Sequence, residues 1–154
     1  MLYDVFKVIH VVGVVVLVGN VTVTAFWKVF ADRNGDPRVV AFGQRLVTIT
    51  DWVFTVGGIV LIFVGGYGAA FAAGMNPFGS AWLNWGQGLF VASGLIWLGI
   101  LIPAQIRLAR VARTFEKGGE VPEDYWRIGR RWLFWGIVAT FPLVGAIAVM
   151  ILKP

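Results

Sequence analysis

The most constraining feature of this sequence is a run of 55 residues, Trp52–Ile106, that contains no charged side chain. A helix crosses a hydrocarbon core about 30 Å thick with about 20 residues, so this run is too long for one crossing. Its middle, Met75–Ser80, reads MNPFGS, and asparagine, proline, glycine and serine in this order favour a turn. The run therefore predicts two spans joined by a tight loop.

Two further charge-free stretches flank this run, with 20 residues in Val8–Trp27 and 21 residues in Trp132–Leu152. Hydrophobic residues make up 58% of the 154-residue chain and charged residues only 14%, which excludes a soluble domain because too much apolar surface would face water. We expect an all-α integral membrane protein, a four-helix bundle that forms a single domain. The expected spans are about 7–28, 52–74, 82–106 and 132–152.

The basic residues are distributed unequally between the two sides of such a bundle. Of 13 lysines and arginines, all but Lys7 and Lys153 lie in the first and third connections. Basic residues concentrate on the cytoplasmic side of a membrane, so we expect both termini in the periplasm of a bacterial inner membrane, an N-out/C-out topology. The same rule explains the net charge of +5, and we expect no nucleic-acid partner.

The two long connections contain signals for helix ends. Asp36-Pro37 and Pro122 suit helix starts, whereas Gly35 and the pair Gly118-Gly119 suit helix ends. Helices are therefore expected to extend into the cytoplasm. Five arginines there are candidates for contact with lipid headgroups or with an acidic partner: Arg107, Arg110, Arg113, Arg130 and Arg131. Acids that could reach the ridge formed by the first three are Glu116, Glu123 and Asp124.

Tryptophan and glycine are abundant, with 8 and 20 residues. Indole rings favour the membrane interface, where we expect Trp27, Trp52, Trp82, Trp85, Trp126 and Trp132. Trp97 and Trp135 lie deeper, in a packed core or in the wall of a pocket. The glycines favour close helix packing and would equally leave room for a planar ligand.

Polar residues within the spans are the first candidates for function, because lipid cannot satisfy them. On a helical wheel, His10, Gly13, Asn20, Thr24 and Lys28 share one face of the first helix, which should face the bundle or a partner. The remaining polar residues at or inside span ends are Asp51, Gln87, Ser93 and Gln105.

His10, the one histidine, has two interpretations: a hydrogen bond across helices, or axial ligation of haem iron or another tetrapyrrole metal. A bis-histidine haem within one chain is excluded. Three arrangements remain: a five-coordinate haem, a haem with a methionine such as Met75 or Met150 as second axial ligand, or a symmetric dimer in which each chain contributes His10. Zinc and copper sites are not expected without cysteine or a second histidine. Asn20, Trp97 and Gln87 are candidate pocket residues for haem b, with His10 as the metal ligand.

Short motifs are distributed along the chain: Leu2-Tyr3, Phe6-Lys7, Ile9-His10, Gly13, Gly19-Asn20, Thr24-Ala25-Phe26-Trp27-Lys28, Ala31-Asp32-Arg33, Asp51, Phe54, Pro103, Gln105 and Arg107-Leu108-Ala109. These motifs resemble those of the bacterial predicted integral membrane proteins called domain of unknown function 2269. The resemblance covers nearly the whole chain. It implies the topology and no particular activity.

A weaker similarity, a tyrosine followed by Lys7 and His10, links the first helix to HemJ-type protoporphyrinogen oxidases, which are also small four-helix membrane proteins. That similarity implies haem binding through His10. In those enzymes a lysine of the third helix is important for activity, whereas no lysine lies between Trp52 and Ile106 here, and Gln87 is the nearest polar residue in kind. The departure argues against oxidase chemistry.

Two hypotheses follow, and neither assigns a catalytic residue, since the spans hold no Ser/His/Asp set and no paired acids. The first is an accessory or packing subunit that associates with other membrane proteins, or with copies of itself, through glycine-rich faces and the arginines. The second is a membrane protein that binds haem b or another tetrapyrrole through His10.

Overall fold

The computed structural model describes all 154 residues and contains four long helices and no strand. Helix α1 spans Leu2–Asn34, α2 spans Pro37–Ala72, α3 spans Ala81–Phe115 and α4 spans Glu123–Leu152, and each is long and apolar enough to cross a membrane. The predicted all-helical four-span bundle is confirmed. At about 1.5 Å per residue, each helix is about 45–54 Å long and continues beyond a hydrocarbon core of about 30 Å.

Local signals set the helix ends, as the sequence predicted. Gly35 ends α1 in the left-handed conformation, with φ +78°, which glycine adopts without strain. The Asp36 carboxylate caps α2 by accepting a hydrogen bond from the Arg38 backbone N–H at 2.8 Å. Gly118 and Gly119, with φ +113° and +116°, turn the chain between α3 and α4.

The turn between α2 and α3 is also where the sequence predicted it. Gly74 follows α2 with φ +66°, and the Asn76 side-chain oxygen accepts a hydrogen bond from the Phe78 backbone N–H at 3.0 Å. This local bond replaces a helical one, as is typical of asparagine in turns. The charge-free run thus forms two antiparallel helices.

Two of the helices contain a widened π turn that the sequence analysis did not predict, Asp51–Thr55 in α2 and Trp97–Leu101 in α3. Pro103 accounts for the second, since it has no N–H and its ring would clash with the carbonyl four residues earlier, at Gly99. The other proline within a span, Pro142, lies in α4 without interrupting the helix. The turn in α2 has no proline and carries two buried polar residues.

The helices form two close pairs in the half of the bundle near both termini, which we call the terminal half. In the pair α1 and α2, Gly13 lies against Gly58, and Gly65 lies against the backbone of His10. In the pair α3 and α4, Gly86 lies against the side chain of Met150. Glycine permits this approach because it has no side chain to hold the backbones apart.

The two pairs join in the opposite half, near the long connections, which we call the connection half. Its core contains five fully buried hydrophobic side chains of α2, α3 and α4: Val40, Val47, Leu108, Phe115 and Tyr125. In the terminal half the backbones of Val56–Ala72 and Ala81–Ile96 stay more than 8 Å apart. Aromatic rings such as Phe63 and Phe90, with centroids 5.7 Å apart, fill part of that gap.

One expected interface residue belongs to this core instead. Trp132 is only 8% exposed and packs in the connection half, so its ring faces neighbouring helices and not the lipid expected around an interface residue. The physical reason is that the helices continue past the membrane together, so a residue at the end of a span is still enclosed by neighbouring helices. Trp52 and Trp85, by contrast, are exposed as expected of interface residues.

We predict that Gly65→Ala destabilises the protein by about 1–3 kcal/mol, because the added Cβ would overlap the backbone of His10, which cannot move without separating α1 from α2. Gly57→Ala in the same helix is the matched control, since its Cβ meets no atom within 4 Å. Thermal unfolding in detergent measures both variants. Equal stability of the two variants would contradict the packing described here.

Candidate functional site

A buried carboxylate, Asp51, lies where α1, α2 and α3 meet. Its Oδ1 accepts hydrogen bonds from Thr55 Oγ1 at 2.7 Å and Asn20 Nδ2 at 3.4 Å. Its Oδ2 accepts one from Trp97 Nε1 at 3.4 Å. Asn20 Nδ2 also donates to Thr55 Oγ1 at 3.0 Å. These bonds compensate in part for the water that burial removes from a carboxylate.

Helix geometry explains why these side chains meet. The buried face of α1 runs through Gly13, Asn20, Thr24 and Lys28, as the wheel predicted. On α2 the widened turn Asp51–Thr55 places its first and last residues on the buried side. Such turns occur frequently at functional sites, because they redirect side chains within an otherwise regular helix.

A narrow crevice between α2 and α3 adjoins the carboxylate. We call it the α2–α3 crevice; its volume is about 20 Å³, and it is lined by Thr48, Asp51, Trp52, Trp97, Ile102, Gln105 and Ile106. Gln105 is 5% exposed, and its Oε1 is buried without a hydrogen-bond partner. A buried polar atom left without a partner is costly, so it points to a bound water or ligand.

A second cavity, of about 70 Å³, lies between the two helix pairs and receives residues from all four helices. Its lining is almost entirely apolar, with Leu17, Phe90 and Leu143 among the larger side chains. Thr55 and Trp97 border this cavity as well as contacting Asp51. The Ser93 hydroxyl in its wall donates to the Ala139 carbonyl at 2.8 Å and is already satisfied.

A second polar cluster lies in the connection half, where Lys28 is only 2% exposed. Lys28 Nζ donates to Asp32 Oδ2 at 2.6 Å and to the Tyr125 hydroxyl at 2.8 Å. Tyr125 precedes the expected fourth span, and burial, with Asp32 as a further cause, raises the pKa of its hydroxyl. The hydroxyl is therefore neutral at pH 7 and donates to Asp32 Oδ1 at 3.4 Å. The cluster fastens α1 to α4.

The structure places His10 and Gln87 away from the Asp51 cluster. His10 Nδ1 donates to the Ile62 carbonyl of α2 at 2.9 Å, and His10 lies ten residues, about 15 Å, along α1 from Asn20. Gln87 Oε1 accepts from the Tyr67 hydroxyl at 2.7 Å, and Gln87 Nε2 donates to the Pro77 carbonyl at 2.9 Å. Of the four candidate pocket residues, only Asn20 and Trp97 share a partner.

The five candidate arginines, Arg107, Arg110, Arg113, Arg130 and Arg131, are all exposed. Of the three acids expected to reach the ridge on α3, Glu116 forms no ion pair, and the other two pair within α4 instead. Asp124 binds Arg127 at 2.6 Å, and Glu123 lies 3.6 Å from Arg130. Partners a turn or two away on the same helix are closer than a ridge on α3. The arginines of that ridge form no ion pair within the chain.

Sequence reasoning named Asp51 and Gln105 as polar residues at the ends of the charge-free run but did not place them in a site. Thr55 was missed altogether. The spacing of Asp51 and Thr55, four residues apart on one helical face, was a usable signal. The widened turns that bring α2 and α3 together at this level were not visible in the sequence.

The fold and these polar clusters define a four-span integral membrane protein, in contact with the lipid bilayer, whose connection half carries most of its buried polar groups. The chain belongs to the predicted integral membrane protein family DUF2269, which matches residues 4–154. No curated protein and no solved structure matches the chain. Membership confirms the class suggested by the sequence motifs.

We predict that Tyr125→Phe lowers the free energy of unfolding by about 1–3 kcal/mol, because Lys28 and Asp32 would each lose a buried hydrogen-bond partner. Tyr3→Phe is the control, since its hydroxyl makes no hydrogen bond within the chain, and it should change stability by less than about 0.5 kcal/mol. Chemical denaturation in detergent measures both. Identical denaturation midpoints would show that the cluster does not fasten α1 to α4.

Proposed function

We propose that this chain is an accessory subunit of the bacterial inner membrane that associates with other membrane proteins or with copies of itself. The supporting observation is an exposed face of α3 that carries small residues. Gly88, Ala92 and Gly99 are exposed, and no atom lies within 4 Å of the position of a Cβ added at Gly88 or Gly99. Gly88 and Ala92 have the spacing at which small residues let membrane helices approach closely.

The packing inside the chain supports the same interpretation. Its own helices associate through glycines at close contacts, as at Gly13 with Gly58 and at Gly65 with His10. An exposed face with comparable residues offers a second helix the same kind of contact. Only about a fifth of each span is buried within the chain, so most of the span surface is available to lipid or to a partner.

The distribution of the basic residues supports an orientation of the bundle in the membrane. The connection half contains all but two of the lysines and arginines, and the exposed ridge Arg107, Arg110 and Arg113 would lie at the level of the lipid headgroups. We therefore propose that this half faces the cytoplasm and that both termini are periplasmic. The same ridge, together with Arg130 and Arg131, is available to an acidic partner or to anionic lipid.

We predict that an affinity-tagged chain, purified in mild detergent from its native membrane, co-purifies with a stoichiometric partner or as a homo-oligomer. Gly88→Leu should reduce this association about tenfold or more, because the side chain holds a partner helix away from α3. Val64→Leu, a change at an exposed apolar position of α2, is the control and should have no effect. Recovery of the monomer alone would contradict the proposal.

A second candidate function, binding of haem b or another tetrapyrrole, is favoured by the geometry of His10. With its Nδ1 proton donated to the Ile62 carbonyl, the imidazole has a fixed orientation and Nε2 has no partner within the chain. Histidines that bind a metal typically donate their second nitrogen in this way. The Met150 side chain lies against Gly86 of α3, and the other candidate pocket residues have their own partners. Of that set, His10 alone has a nitrogen that remains free.

We predict for this candidate that the purified protein shows a Soret absorption band and that His10→Ala abolishes it, because no other histidine is present. His10→Ala also removes a hydrogen bond, so unfolding should be measured in parallel to separate lost pigment from lost structure. A colourless protein after expression with added haem would eliminate haem binding and leave the accessory role unaffected.

A further inference from the structure

The α2–α3 crevice contains a buried carboxyl group, that of Asp51, without a cationic partner. Asp51 forms no ion pair in the chain, and the one buried lysine, Lys28, is bound to Asp32 and Tyr125. A carboxylate removed from water is costly unless a cation or several hydrogen bonds compensate for it. The crevice therefore favours an occupant with a positive charge.

The one buried side-chain atom of the crevice without a hydrogen-bond partner is an acceptor. Asp51 Oδ2 accepts a long bond of 3.4 Å from Trp97, and the Gln105 amide also donates to the Asp51 carboxylate, whose two oxygens can together accept about four bonds. Gln105, which is 95% buried, has an Oε1 with no partner at all. A group that offers several N–H or O–H donors matches these atoms, whereas an anion or an apolar group does not.

The size of the crevice limits the occupant further. A volume of about 20 Å³ admits one group of the size of a water molecule. An –NH₃⁺ group has this size and three donors, and a trimethylammonium group has neither. A hard metal cation such as Ca²⁺ requires six or more oxygen ligands, which the lining residues do not supply.

The level of the crevice in the bundle indicates where such a group would come from. Asp51 and Gln105 lie at the two ends of the charge-free run, and Arg107 follows two residues later. Trp52, which also lines the crevice, is 58% exposed, as an indole at the membrane interface would be. Amines of lipid headgroups and soluble amines both reach this level.

We propose that the α2–α3 crevice binds a primary ammonium group between Asp51 and Gln105, carried by an aminophospholipid headgroup or by a soluble amine. This site is independent of the association through α3 proposed above, because Gly88 and Ala92 do not line the crevice. It also does not depend on His10.

The test measures binding to the purified full-length protein in detergent by native mass spectrometry and thermal unfolding. The probes are phosphatidylethanolamine, phosphatidylcholine, methylammonium chloride and tetramethylammonium chloride. Phosphatidylethanolamine should bind about tenfold or more tightly than phosphatidylcholine. The trimethylammonium group of phosphatidylcholine has no N–H donors and is too large for the crevice. Stabilisation by methylammonium but not by tetramethylammonium identifies a soluble amine as sufficient. A preference seen only with the phospholipids identifies the headgroup as the source.

Two variants test whether the preference for a primary amine arises from the crevice. Asp51→Asn removes the charge at nearly constant shape, and Gln105→Met removes the free Oε1 acceptor at similar side-chain volume. Thermal unfolding of each variant without added amine shows that it folds. Each should weaken binding of the amine about tenfold or more. Asp124→Asn, an exposed acid outside the crevice, is the control. Equal binding of the two phospholipids without any response to methylammonium, or wild-type affinity in Gln105→Met, would overturn the proposal and leave a bound water as the occupant.

Discussion

Hydrocarbon offers no hydrogen-bond partners, and in this bundle that constraint decides where polar residues lie. Asn20, Asp51, Thr55 and Trp97 come from three helices and bond to one another. The terminal half, where pairs of helices approach through glycines, contains few polar side chains, and those of His10 and Gln87 bond to main-chain carbonyls. The buried polar clusters thus lie mainly in the connection half, whereas close glycine contacts occur in both halves, as at Gly65 with His10 and at Gly43 with Ala31.

Charge and hydropathy along the chain were sufficient to predict the four helices and their caps. A charge-free run of sufficient length predicts a span by itself. Capping residues such as Asp36 and Gly35 act only on the adjacent helix end, so the local sequence is enough to predict that end. The buried face of α1 was predictable for the same reason, because Asn20 and Lys28 differ so clearly from their apolar neighbours.

The centre of the site was harder to predict from the sequence, because it depends on contacts between helices that are distant along the chain. Asp51 stands at the end of a charge-free run, where a solvated or headgroup-facing carboxylate is the ordinary expectation. It is buried because α1 and α3 cover it and because a widened turn redirects it. Trp132 shows the same effect, since the position of a residue in its own helix does not reveal which neighbours enclose it.

The Asp51 cluster also joins the two helix pairs, which gives the crevice a mechanical position as well as a chemical one. Asn20 and Asp51 belong to the pair α1 and α2, whereas Trp97 belongs to the pair α3 and α4. The Trp97 indole donates to Asp51 Oδ2 and so links the two pairs. In the terminal half the backbones of Val56–Ala72 and Ala81–Ile96 stay more than 8 Å apart. An occupant bound to Asp51 Oδ2 and Gln105 would bridge α2 and α3 and so restrict the separation of the pairs. Binding and the spacing of the pairs are therefore thermodynamically linked, because any ligand that prefers one spacing stabilises it.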